Sequence, residues 1–285
     1  MPDARYLLAD VFTAAPYGGN QLAVFPDAAG LEGPQMQALA RELNLAESTF
    51  VTPGSAPGRF RVRIFTPAAE LPFAGHPTVG TAVVLAHLGR TAGQGEIVLE
   101  EGVGPVRVAL RPGGATFFMD GAPEHRAHDV AAADIAAMLG VGALAGEAWQ
   151  AGFGLPFLFI PVPDAAAVAR SALRLDRWNA LAPRFWGRGV YVHAIAGDAV
   201  RARMFAPGLG VSEDPATGSA AAALAGSLAA PASGEPRRLT ITQGVEIGRP
   251  STIETATTFA GGVVTAVSVG GGAVVVGEGR FDRLP

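Results

Sequence analysis

The side chains here that could move protons are few. Glu47 lies among Leu43, Leu45, Phe50 and Val51, where a helix pattern passes into a strand pattern. A carboxyl in apolar surroundings has its pKa raised, which suits a group that must accept and return a proton near neutral pH. The same pattern also fits a surface carboxylate at a helix end. Asp214, followed by Pro215, reads as a helix start: a carboxylate cap, then Pro at the first helical position, where its missing N–H is harmless. A cap of this kind contributes about 1 kcal/mol and by itself accounts for Asp214. It leaves unexplained why a second, similar stretch has His76 at the corresponding place, also before a proline, Pro77. A histidine beside a helix start could bind substrate or orient a carboxylate; a plain loop residue is the alternative. Ser219 and Thr81 fall in matching slots, as hydroxyls near the first turn or as small packing residues. His125 and His128 have a spacing that could ligate metal, but nothing nearby completes a ligand set. Arg63 and Arg203 either expose their heads from strands or reach an acidic group. No phosphate-binding loop, serine nucleophile elbow or paired-His zinc motif occurs.

These residues sit on two similar stretches. Arg201 to Phe205 alternates as a half-buried strand does, a Gly-rich loop follows (Gly208, Gly210), and Ala220 to Leu228 is rich in helix formers. Arg63-Ile64-Phe65-Thr66-Pro67 echoes Arg203-Met204-Phe205-Ala206-Pro207, and His76 to Ala82 echoes Asp214 to Ala220, with only the loop length different. Further on, Ile97 to Val103 matches Leu239 to Val245. A repeat this long predicts two similar domains rather than a solenoid. The expected division is residues 1–120, with a central helix near 77–88, and 121–285, with a central helix near 215–229. Asp120–Asp129 is the linker, and the last strand is a candidate to cross back. Between the central stretches the pattern predicts helices over 33–43, 130–139 and 164–173 and mostly antiparallel strands, an α+β organisation. Each central helix start, with orphan N–H groups and the positive dipole end, is an anion site. Two such ends facing across an interdomain cleft would hold a small carboxylate.

Composition excludes several classes. At 285 residues the chain can hold two ordinary cores. Lys plus Arg total 21 against 25 Asp plus Glu, for a net charge of −4, with no basic cluster to recommend nucleic acid. Cysteine is absent, which excludes disulfides, thiolate metal sites and thiol acid/base chemistry. The start lacks a signal-peptide pattern, and no apolar run approaches the roughly 18 residues of a membrane span. The expectation is a cytoplasmic protein with no membrane partner.

The motifs together resemble the PhzF family, the phenazine-biosynthesis-like proteins. The matching blocks are Asp10-Val11-Phe12-Thr13 with Gly19-Asn20, Asn44-Leu45 with Glu47 to Val51, and Arg63 to Pro67. They continue with Glu70 to Thr78, Phe205-Ala206-Pro207, Glu213 to Ala220, and Gln243-Gly244 with Gly248 to Ser251. The resemblance implies a diaminopimelate-epimerase-like fold: two domains, each a curled sheet around a central helix, with the active site between them. It implies Glu47 as general acid/base, with His76, Asp214 and Ser219 lining the same site and Gly75, Gly218 and Asn20 as further substrate-binding positions. It implies an isomerase that moves a proton on a small carboxylate substrate with no cofactor and no metal, in a homodimer. Related epimerases and racemases on this fold use two thiols, which this chain cannot supply. Gln21 departs from the proline common after Gly-Asn in the family. A silent binding or scaffold protein, and a lyase using the same glutamate, are the alternative readings.

Overall fold

The computed structural model describes residues 4–209, 211–228 and 235–285. Gly210 of the Gly-rich loop, and residue 229 at the end of the expected second central helix, lie outside the described residues. The chain forms two units, residues 1–118 with 270–285, and residues 119–269. The fold is α+β, and each unit is described by itself.

In the first unit β1 (Arg5–Val11), β2 (Asn20–Phe25), α1 (Gly33–Leu43), β3 (Glu47–Pro53), β4 (Arg59–Phe65) and β5 (Glu70–Leu71) lead into α2 (Gly75–His87). The strands β6 (Glu96–Glu101), β7 (Gly104–Arg111) and β8 (Gly114–Asp120) follow. Most neighbours pair antiparallel, while β2 runs parallel to β3 and β4 parallel to β6. One sheet face buries Phe25, Phe50 and Phe65 against Met36, Leu39 and Ala40 of α1. α2 packs against β1, β2, β6 and β7. It has no polar face: every residue from Gly75 to Leu85 is buried, the pattern of a helix enclosed on all sides. Gly80 is needed there, since a Cβ would come within 2.6 Å of Leu22 and Val11.

The second unit holds β9 (Glu124–Arg126), α3 (Ala132–Leu139), β10 (Trp149–Phe153), β11 (Leu155–Pro161), α4 (Ala165–Arg170) and α5 (Leu175–Leu181). It continues with β12 (Gly189–Ala196), β13 (Ala199–Ala206), β14 (Val211–Asp214), α6 (Gly218–Ser227), β15 (Arg237–Gln243), β16 (Ser251–Ala260) and the start of β17 (Val263–Arg280). From Ala273 onward β17 pairs with β1 of the first unit. The pairing scheme repeats: β10–β11 antiparallel, β11–β12 parallel, β12–β13 antiparallel, β13–β15 parallel. α6 is buried like α2, from Ala220 to Gly226.

Several expectations change. The stretch expected as linker contains β9, which pairs with β10, a strand the pattern did not predict. The helix expected over 164–173 stops at Arg170, and α5 follows it. The second central helix begins at Gly218, not near 215, and Asp214 is not its cap. Asp214 closes β14, registered opposite Met204, and Thr217 takes the cap position. Pairing with β13 holds the chain extended through Asp214, so local cap chemistry loses to the strand ladder.

The structure also shifts the repeat. Glu70 pairs with Arg63 through two hydrogen bonds of 2.7 Å, and Glu213 pairs with Arg203 at 2.8 and 2.7 Å. In both units the arginine also lies over a phenylalanine two residues on, Phe65 and Phe205. A Cβ on Gly102 would meet Pro72, and one on Gly244 would meet Pro215. Glu70, Pro72, Gly75 and His76 therefore correspond to Glu213, Pro215, Gly218 and Ser219. Ser219, not Asp214, is the counterpart of His76. Thr81 lies deeper in α2, its hydroxyl 2.8 Å from that of Thr49.

The two Arg–Glu clamps differ in exposure: 36% and 43% for Arg63 and Glu70, 11% and 10% for Arg203 and Glu213. Removing one partner of a buried pair strands a charge, whereas an exposed pair is screened. Glu213→Gln is expected to destabilise by about 3 kcal/mol, and Glu70→Gln by less than about 1 kcal/mol. Chemical denaturation of the two variants checks the contrast.

Candidate active site

The tip of α2 collects three of the sequence-predicted side chains. Asn20 opens β2, Glu47 opens β3 opposite Leu22, and His76 is the second residue of α2. The parallel pairing of β2 with β3 brings their first residues to the same end of the sheet, where α2 begins. His76 Nε2 stands 3.3 Å from Glu47 Oε2, and Nδ1 lies 3.2 Å from Asn20 Nδ2. His76 is 5% exposed and the Glu47 side chain 17%, so the carboxyl is largely sheltered.

Burial drives the His76 pKa down to about 3, opposed by a backbone hydrogen bond with Gln21. The ring is therefore neutral at physiological pH. Nε2, the nitrogen facing Glu47, makes no hydrogen bond at this 3.3 Å separation. A neutral imidazole in that position leaves the neighbouring carboxylate without the full ion pair that would quench its basicity.

The helix tip itself has no side-chain cap. Ala74, at the cap position, has no side chain to offer the first N–H groups, and Pro77 in the first turn has no N–H to satisfy. Gly75 places no side chain over the first position. Such a tip attracts an anion.

In the second unit the start of α6 is equally free of a side-chain cap, with Gly218 and Ser219 as its first residues. Asp214 Oδ2 accepts from Thr217 Oγ1 at 2.5 Å. Gln243 Nε2 donates to the Asp214 carbonyl at 2.8 Å and to Thr217 Oγ1 at 3.0 Å. Tyr191 is fully buried, and its phenol pKa is driven upward by burial and then by the Asp214 charge. The sequence reading missed Thr217, Gln243 and Tyr191. Gln243 lay within a matched block, while Tyr191 carried no signal beyond its place in an apolar strand. His128 Nε2 sits 3.0 Å from the Ala148 carbonyl and His125 Nε2 3.4 Å from Ser227 Oγ. Among the described residues no group of three His, Asp or Glu side chains could hold a metal ion.

Comparison with known proteins agrees with this architecture. The family model for phenazine biosynthesis-like protein, PhzC-PhzF, matches residues 9–279. An uncharacterised isomerase of Mesorhizobium japonicum is 43% identical over 99% of both chains. Trans-2,3-dihydro-3-hydroxyanthranilate isomerase of Pseudomonas aeruginosa is 41% identical over 97% of this chain and 98% of its own. The structure of a protein described as a predicted epimerase from Pseudomonas aeruginosa superposes with a TM-score of 0.79 at 35% identity, covering 98% of this chain and 99% of that one.

A histidine whose folded pKa is depressed contributes stability above its unfolded value near 6.5 and loses it as pH falls through about 3. The ring nitrogens of His76, followed by NMR, are expected to keep a neutral signature from pH 8 to 5. Protonation of His76 within that range would contradict a ring desolvated by burial.

Proposed function

The chain is an isomerase that belongs to the phenazine biosynthesis-like (PhzC-PhzF) family, and from that premise we propose that it moves a proton on a small carboxylate by general acid/base catalysis, without a cofactor. The observation that carries the reading is the buried meeting of Glu47 and neutral His76 at the uncapped tip of α2. Glu47 lifts a proton from a substrate carbon and returns it at another. His76, beside Asn20, lines the pocket next to the carboxyl and binds a polar substituent of the substrate. Gly75, Gly218, Asp214 and Ser219 are the further proposed substrate-binding residues, each helix tip offering its N–H groups to an anion.

The substrate class follows from the same groups. Helix tips select an anion, and a carboxyl base needs an activated C–H, as found where a diene is conjugated with a carboxylate. Trans-2,3-dihydro-3-hydroxyanthranilate, the substrate in the name of the 41% identical relative, has both features and is the first compound to assay. Among the described residues no helix is long and apolar enough to cross a membrane. We further propose a homodimer working in the cytoplasm, the former checked by analytical ultracentrifugation.

A positioned acid/base contributes about 10²–10⁴-fold to such a step. Glu47→Gln is expected to lower kcat by that factor, with little change in KM, and to abolish deuterium uptake into product from D₂O. Unchanged turnover in Glu47→Gln would remove the proposed role. Ser219→Ala and Asp214→Asn are expected to raise KM more than they lower kcat.

A further inference from the structure

One buried carboxyl has no place in this mechanism. Glu101 ends β6, is 7% exposed, and its Oε2 is buried with no hydrogen-bond partner. Its Oε1 lies 2.9 Å from Thr78 Oγ1, and that same hydroxyl lies 2.8 Å from the Ala74 carbonyl. A threonine hydroxyl carries one hydrogen. The carbonyl of Ala74 can only accept, so the hydroxyl donates to it. The contact between Thr78 and Glu101 then needs a second hydrogen, and the carboxyl is the one group there that can bring it.

The repeat gives the same answer independently. Glu101 corresponds to Gln243, since β6 pairs with β4 as β15 pairs with β13. Gln243 is an uncharged donor and ties the end of its strand to Thr217 and Asp214 at the start of α6. We propose that Glu101 is a protonated, uncharged acid in the folded protein, and that as the counterpart of Gln243 it is a positioning residue that pins the first turn of α2 and with it Gly75 and His76.

The energetics favour the proton. A carboxylate here would place one oxygen in a buried site without a donor, a costly arrangement. Burial raises the Glu101 pKa from 4.5 to about 8, with Thr78 pulling the other way. No charged neighbour is involved. On β4, Arg59 is tied to Glu100, Arg61 stands in register with Glu100, and Arg63 is tied to Glu70 on β5. On β7, Glu101 faces Gly104, while Arg107 pairs with Glu96 and Arg111 lies exposed at the strand end. The titratable residues of α2 are His76 and His87, and neither acts on Glu101.

Above its pKa, Glu101 would put a negative charge beside the tip of α2, against the anion that the proposed function needs there. That consequence rests on the proposed function; the proton itself does not, and its test uses the full chain without substrate. In the window from 4.5 to about 8 the folded state holds the proton and the unfolded state has lost it. Unfolding therefore releases about one proton, and stability falls as pH rises through the window. Thermal unfolding of wild type and Glu101→Gln is compared from pH 5 to 9, with infrared detection of protonated carboxyl groups. The expected result is a folded variant whose Tm gains on wild type as pH rises, and a protonated-carboxyl band in wild type at pH 7 that the variant lacks. A Tm difference independent of pH, a band unchanged by the substitution, or a Glu101→Gln chain that does not fold would each overturn the proposal. Glu101→Ala, which supplies neither donor nor acceptor, is expected to lose stability at every pH.

Discussion

A helix buried on every side cannot hide its own ends. The residues of α2 from Gly75 to Leu85 and of α6 from Ala220 to Gly226 are enclosed, so each helix depends on burial of apolar surface for its stability. Its first N–H groups still need acceptors, and in neither helix does a side chain at the cap position provide one. The cost of that arrangement is also its use. A rigid, dipolar tip held in a packed sheet is a binding element that needs little reorganisation when an anion arrives.

Holding such a tip in place takes more than the helix. In each unit an arginine on the strand before the helix grips a glutamate on the short strand that leads into it. The next turn passes a proline against a glycine, Pro72 on Gly102 and Pro215 on Gly244. An uncharged donor from the following strand then reaches the first turn, Gln243 in one unit and, as we infer, protonated Glu101 in the other. The two units reach one geometry with different side chains at the tip: His76 in the first, Ser219 in the second. That difference places an imidazole beside Glu47 at one tip and a serine as the second helical residue at the other.

Much of this architecture is legible in the residues alone. The alternation of Arg201 to Phe205 and the apolar spacing of Met36, Leu39 and Ala40 read correctly as strand and helix, because one face of each is buried. The strand echoes at Arg63 and Arg203 and at Ile97 and Leu239 identify two similar units. The reading fails where a local signal competes with a distant one. Asp214-Pro215 has good helix-start chemistry, yet β13 claims Asp214 for a strand. That error slides the repeat and pairs His76 with Asp214 and Thr81 with Ser219. The glutamates that clamp Arg63 and Arg203 are plain in the chain, but no spacing rule marks which glutamate a strand arginine will reach.

By itself the sequence determined the inventory and the local periods: no thiol to share a proton, one glutamate set among apolar residues at a helix-to-strand junction, and two stretches built alike. These depend on neighbours a few residues away. Only the tertiary structure decided where α6 begins, which residues of the repeat correspond, and which titratable groups are charged. His76 and Glu101 are pushed in opposite pKa directions by the same cause, loss of water. Desolvation depends on chain segments far apart in sequence, so it exists only once the sheet has closed over them.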